Sequence, residues 1–260
     1  MTPKKTTRVY RILRFLIDLF FPNMRIHGLE KLPEEPCIIV GNHSQMNGPL
    51  LSELRLKIPH ETWCAGPLMQ WKEAADYAFT DFWSFKPRWT HPFFRLLSRL
   101  ITPLAVCLFN NAHTIPVYHD VRLRQTYRQS VEALSNGESL VIFPEKNEPG
   151  NHILYAFQDK FVDTARFYCR KTGRGLSFVP LYIAPRLRGA WFGEPVAFRP
   201  EAPIEEERAR ICAALREQIT AVAEALPEHT VVPYRNIPKR FYPKSRAGRK
   251  EAVSHEKTLS

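Results

Sequence analysis

No segment of this sequence is expected to span a bilayer, beginning with the apolar stretches near the amino terminus. The strongest, Val9 to Phe21, has 13 residues and is interrupted by Arg11, Arg14 and Asp18. As a helix it would reach about 20 Å, against a hydrocarbon core of about 30 Å. The same arginines, with no small-residue cleavage site after them, argue against a secretory leader. The stretch from His91 through Phe109 is also apolar, but Arg95, Arg99 and Pro103 break it, which predicts a helix ending near Thr102. Cysteine is scattered and odd in number: Cys37, Cys64, Cys107, Cys169 and Cys212, with no C-x-x-C pair. That argues against a disulfide framework or a cysteine zinc site, and points to a reducing, cytosolic setting. There is no H-E-x-x-H, no G-x-S-x-G, and no glycine loop following a strand, so helical zinc sites, serine-hydrolase elbows and dinucleotide loops lack their motifs. No internal repeat is present.

Charge is also missing, from the middle of the chain. The 260 residues carry 37 Lys+Arg against 26 Asp+Glu, a net +11. Residues 1–31 and 239–260 hold +5 each, leaving +1 for residues 32–238. A near-neutral body with basic ends argues against a nucleic-acid-binding core, although basic arms could touch phosphates. It suits a globule held by its ends to an anionic membrane surface.

What is present is enough apolar material for a sizeable core, 44% hydrophobic and 12% aromatic. Arg8, Arg11, Arg14 and Asp18 recur every three to four residues, leaving Ile12, Leu13, Phe15, Leu16, Ile17, Leu19, Phe20 and Phe21 as a wide apolar face. That pattern predicts an amphipathic helix lying in a membrane interface, or equally a helix packed on the domain, because periodicity does not distinguish lipid from protein. Residues 63–94 concentrate Trp63, Trp71, Trp83 and Trp89 with Tyr77 and several phenylalanines, which suits an acyl pocket, a membrane-facing surface or core.

Beyond residue 36, strand and helix patterns alternate. Strands are expected at Cys37–Gly41, Thr114–Tyr118, Ser139–Phe143 and Leu176–Ile183. Helices are expected from Pro49–Leu56, Val121–Ser135, Phe157–Lys171 and Ile204–Ala225, the last opened by an acidic turn. This predicts a single α/β domain over 25–238, with a mixed, largely parallel sheet flanked by helices. The amphipathic helix would occupy residues 1–24, and 239–260 would form a basic, mostly disordered tail.

Chemistry in such sheets gathers where strands end. One end reads Val40-Gly41-Asn42-His43-Ser44-Gln45-Met46-Asn47-Gly48, placing a histidine as a general base among small and amide residues. Another, Phe143-Pro144-Glu145-Lys146, presents a carboxylate and an ammonium. With Thr114-Ile115-Pro116-Val117-Tyr118-His119 and Val179-Pro180-Leu181-Tyr182-Ile183, these segments resemble, in order and spacing, the blocks of the glycerolipid acyltransferase superfamily that includes the lysophosphatidic acid acyltransferases. The resemblance covers about residues 25 to 200.

The resemblance implies acyl transfer from acyl-CoA or acyl-carrier protein to a lysophospholipid or glycerol-phosphate hydroxyl, with His43 as base and no cofactor or metal. Glu145, Lys146, His119 and Arg122 would contact substrate, with a cation directed at phosphate. The site would sit at the cytoplasmic face of a membrane, in a peripheral protein. The sequence departs from the family at Gly48, where an acid that orients the histidine is expected, and at Lys146-Asn147-Glu148. Asn47, Gln45 or Glu53 are the candidate replacements for that acid. The departure keeps a second reading open, a catalytically silent relative that binds lipid or acyl thioester. A third is a soluble protein whose basic ends contact nucleic acid.

Overall fold

The computed structural model describes residues 7–246. Among them, in chain order, the strands are β1 (Arg25–His27), β2 (Ile38–Gly41), β3 (His60–Ala65), β4 (Thr114–Val117), β5 (Ser139–Ile142), β6 (Ser177–Ala184), β7 (Gly189–Phe192) and β8 (Val196–Ala197). The helices are α1 (Arg8–Phe20), α2 (Asn47–Arg55), α3 (Ala74–Phe82), α4 (His91–Asn111), α5 (Leu123–Ser135), α6 (Asp163–Thr172) and α7 (Ile204–Ala225). The strands form one mixed sheet in the order β1-β7-β6-β2-β5-β3-β4, with β8 beside β6. Strands β6, β2, β5, β3 and β4 run parallel, so their carboxyl ends share one edge. β7 and β8 pair antiparallel with β6.

Period-two alternation divides the strand residues between two cores. Ile38, Val40, Leu140, Ile142, Phe178 and Tyr182 face the layer that contains residues of α5, α6 and α7. Ile39, Val141, Val179, Leu181 and Ile183 face the layer that contains Leu51 of α2 and Phe21. Burial on both faces explains why β2, β5 and β6 read as continuous apolar runs. β3 was not expected: His60-Glu61-Thr62 is polar, yet all three residues are buried and pair with β5, with β4 joining at Thr62. β1, β7 and β8 were also not expected. They are two to four residues long and gain their pairing only in the assembled sheet.

Two helices sit on the domain with their patterns reversed. In α1, Tyr10 Oη donates to Glu53 on α2, Arg14 Nε pairs with Glu53 at 3.2 Å, and Asp18 pairs with Arg55. The lower half of the polar stripe, Arg14 and Asp18, is therefore on the docking side with Tyr10, while Arg8 and Arg11 are exposed. Val9, Ile12, Phe15, Leu16, Leu19 and Phe20 point outward, Phe20 being 83% exposed. In α4 the buried side is Ser98, Thr102 and Val106, while Phe93, Leu96, Leu100 and Leu104 form an exposed stripe.

The expectation that α4 ends near Thr102 is corrected: it runs through Pro103 to Asn111. Pro103 removes one backbone donor, and the Ser98 and Thr102 hydroxyls add bonds to Phe94 O and Ser98 O around the break. By length and composition Arg88–Asn111 could cross a membrane. It nonetheless packs on the domain, with the Arg95 guanidinium 5.0 Å above the Phe79 ring and Asn110 donating to Met69 O.

Two other boundaries move. The helix expected from Phe157 begins at Asp163, because Phe157 bridges to Glu145 and Gln158 N donates to Pro144 O. The tail expected from residue 239 begins folded: Thr230 bridges to Lys244, Ser245 N donates to His229 O, and Ser245 is buried. The rest of that stretch, 247–260, and residues 1–6 of the amino-terminal segment lie outside the described residues.

Glu53 is the polar anchor of α1, receiving both Tyr10 and Arg14. Glu53→Ala should speed amide exchange in α1 by about tenfold or more, since bonds to charged groups contribute about 1.5–3 kcal/mol. Exchange mass spectrometry showing no change in α1 would mean that other contacts hold it.

Candidate active site

The carboxyl end of β2 is built from side chains that replace backbone pairing. Asn42 follows Gly41 and behaves as one more rung of the sheet. Its Nδ2 donates to Ile183 O at 3.0 Å, and its Oδ1 accepts from Ile183 N at 2.6 Å. The chain then turns sharply. Ser44 and Gln45 take φ of 47° and 55°, a left-handed pair that costs non-glycine residues about 1–2 kcal/mol each. The turn is held by Gly48 N donating to His43 O at 3.0 Å and by Asn47 Nδ2 donating to Ser44 O at 2.8 Å. Pro49 lies in the first turn of α2, where no backbone donor is needed.

This turn returns the Gln45 carbonyl to the His43 ring, where it accepts from Nδ1. A carbonyl only accepts, so Nδ1 carries the hydrogen and the neutral ring keeps its lone pair on Nε2. Burial pushes the His43 pKa below its ordinary 6.5, more than the Gln45 carbonyl raises it. The ring is walled by Phe143 and Tyr234, both edge-on, at centroid distances of 5.6 and 5.5 Å.

Glu145 ties the site together. It is 3% exposed, and its two oxygens accept from His43 N at 2.6 Å and Tyr155 N at 2.9 Å. Burial raises its pKa to about 7, against the two N–H groups that favour its charged form. Each Glu145 oxygen thus holds one backbone donor, so the residue clamps the His43 turn to the loop after β5.

The other expected residues separate. Gln45 orients the ring through its backbone, while its side chain donates to Tyr242 Oη at 2.8 Å. Asn47 bonds Ser44 O and helps hold the turn. Glu53 is committed to Tyr10 and Arg14 on α1, which corrects its assignment to His43. Lys146 Nζ is paired with Glu148 at 2.6 Å, and Lys146 N donates to Ala156 O.

Arg122 is bound by Asp120 and Glu73 and lies 3.9 Å above the Tyr118 ring. His119 is exposed. Both follow β4, three strands from β2, or about 14 Å away at normal strand spacing. Of these cations, Lys146 follows the Glu145 clamp and is paired with Glu148, while His119 and Arg122 lie at the far edge of the sheet. Among the described residues no group of three or more His, Cys, Asp or Glu is placed to hold a metal ion.

Gly48 explains why no acid follows His43 at that spacing. A Cβ there would lie 2.7 Å from the Phe143 ring and 2.8 Å from His43 O. Phe143 fills the space that a side chain would need. Sequence reading also missed Tyr155, Tyr234 and Tyr242, which lie in segments without helix or strand periodicity. Their only signal is aromatic content beside proline and glycine.

No family model matches the chain, and no curated protein matches it by sequence. Among solved structures it is similar to that of the 1-acyl-sn-glycerophosphate (LPA) acyltransferase PlsC from Thermotoga maritima, at 15% identity and a TM-score of 0.43. The match covers 82% of this chain and 81% of that one. A superposition this loose says nothing of activity or substrate.

Gly48→Ala should destabilise the protein by about 1–3 kcal/mol, the usual range for overpacking. Phe143→Leu should relieve part of that loss in the double variant. Urea midpoints at unchanged m would measure both, and additive losses would show that Phe143 is not the obstacle.

Proposed function

We propose that this protein is an acyltransferase in which neutral His43 is the general base. The observation that supports this best is the convergence of three of the four acyltransferase-like segments. Asn42 joins the first to the fourth, and Glu145 joins the third to the first, each by side-chain to backbone hydrogen bonds. The reaction moves an acyl group from a thioester, acyl-CoA or acyl-carrier protein, to the hydroxyl of a lysophospholipid or glycerol phosphate.

His43 Nε2 accepts the hydroxyl proton as the oxygen attacks the thioester carbonyl. The tetrahedral intermediate collapses, the C–S bond breaks, and the thiolate leaves with the proton returned by Nε2. The imidazolium formed on the way has no carboxylate partner at position 48. The Gln45 carbonyl orients the ring but brings only a dipole, so the rate should fall below that of a site with a full charge there.

The reversed helices support a peripheral membrane location. Phe15, Leu19 and Phe20 on α1, and Phe93, Leu96 and Leu100 on α4, would enter the interface, with Arg8 and Arg11 near anionic headgroups. A second reading, a silent relative that binds lipid or thioester, is favoured by one observation: Phe143 excludes any acid at position 48.

Purified protein supplied with acyl-CoA and a lysophospholipid panel should turn over. His43→Ala should lose about 10²–10⁴-fold in rate. Because burial holds His43 neutral below 6.5, the acid limb of the rate profile should have its midpoint under that value, with activity rising as pH rises through it. Equal turnover by His43→Ala would remove the histidine from the mechanism. Lipid binding without turnover in either protein would favour the silent relative.

Phe15→Glu with Leu19→Glu should lower partition onto vesicles containing anionic lipid by about 100-fold or more while leaving the melting temperature in place, since both side chains are exposed. Unchanged flotation would exclude α1 from membrane contact.

A further inference from the structure

The carboxyl-terminal strap, residues 229–245, reaches the His43 loop from the far end of the chain. Its two ends are tied together: Val231 N donates to Pro243 O at 2.9 Å, Ser245 N to His229 O at 3.0 Å, and His229 N to Ser245 Oγ at 3.2 Å. The knot is fastened to the sheet. His229 Nδ1 donates to Pro227 O at 2.7 Å, which leaves Nε2 to accept from Tyr182 Oη of β6 at 2.6 Å. His229 and Tyr182 are both buried. Between the ends, Tyr242 Oη and Arg235 O accept from Gln45 Nε2 at 2.8 and 3.4 Å. Tyr234 places its ring edge-on to His43 at 5.5 Å and packs on Tyr155 at 5.8 Å.

These contacts meet at one place. Gln45 is the residue whose backbone orients His43, and its side chain is held by the strap. Tyr155 is the residue whose N–H holds Glu145, and its ring is covered by the strap. We infer that the strap is a working part of the site and that Tyr234 is a positioning residue for His43, confining the ring together with Phe143. This rests on the reading of His43 as the base. It gives the missing acid a physical substitute: confinement by two aromatic edges and one carbonyl fixes the ring that a carboxylate would otherwise fix.

The ionisable groups around His43 are consistent with this. Glu145 faces its backbone from the β5 end, and Tyr234 faces its ring from the strap. Burial, then Asp81 of α3, then Glu145 raise the Tyr234 phenol, so it stays neutral and adds no charge to the ring. Arg235 contributes its carbonyl, and its side chain is exposed.

The test follows His43 directly. Its ring Cε1–H is assigned by comparison with His43→Ala and titrated by NMR in full-length wild type, Tyr234→Phe, Tyr234→Ala and Tyr242→Phe, with thermal unfolding as a check on folding. Tyr234→Phe keeps the edge contact and should titrate like wild type, below 6.5. Tyr234→Ala opens the ring to water and should shift the midpoint up toward 6.5. In the transfer assay it should lower kcat by about tenfold to a hundredfold, with KM within about twofold. Tyr242→Phe cuts the tie to Gln45 and should move the midpoint in the same direction by less. If Tyr234→Ala does not fold, Tyr242→Phe decides alone.

An unchanged His43 midpoint in Tyr234→Ala, or in Tyr242→Phe where that variant decides, would overturn the inference. Wild type that titrates as expected but transfers no acyl group would remove the acyl-transfer reading and leave the strap's role standing.

Discussion

One buried carboxylate connects the parts of this site. Glu145 receives the backbone N–H of His43 from the β2 end and that of Tyr155 from the loop after β5. Each bond satisfies a donor that would otherwise be costly in a dry interior. The turn carrying His43 is itself strained, with Ser44 and Gln45 both left-handed. Such a turn persists only when its surroundings over-determine it. Glu145 from below, Asn42 on the sheet and the strap through Gln45 supply that determination. The reward of the strain is chemical: only a chain turned this tightly brings a carbonyl back to the histidine two residues before it.

The same arrangement explains the departure at Gly48. An acid there has no room, because Phe143 already occupies the space and presents its edge to the ring. The site has moved from charge to confinement. A charged partner stabilises the imidazolium directly. Burial between aromatics disfavours it and keeps the ring neutral. Such a base stays ready to accept a proton to lower pH, but holds the proton less well once it arrives.

The outer surface follows a different rule. In α1 and α4 the domain takes the polar or small side of each helix and leaves the large apolar side outside. The α1 attachment is made by Glu53 and Arg55 of α2, and at its start by Asn111 of α4, which accepts from Thr7 N. A helix held by ion pairs on one side is free to bury its apolar side elsewhere. That separates the two roles the amino-terminal pattern had left undivided: the arginine at 14 and the aspartate at 18 face protein, while those at 8 and 11 stay exposed.

Much of the fold is legible in the sequence. The central strands β2, β5 and β6, helix α7 and the placement of Asn42-His43 at a strand end all follow from local periodicity and composition, which act over a few residues. What resisted reading depends on distant partners. β3 is a strand because polar His60, Glu61 and Thr62 pair with β5, and β4 joins from Thr62 onward. Pro103 sits inside a helix that contacts the domain on both sides of it, through Arg95 on Phe79 and Asn110 on Met69. Glu145 reads locally as an ordinary carboxylate at a strand end, yet it clamps two distant backbone segments, and Glu53 is committed to α1. Tyr234 and Tyr242 carried only the signal of aromatics beside proline, since more than 180 residues separate them from the histidine loop. By itself the sequence determined which segments could fold and that a histidine would stand at a strand end. Tertiary structure alone decided what surrounds that histidine, because its tautomer, its burial and its aromatic walls arise from chain segments that meet only in the folded state.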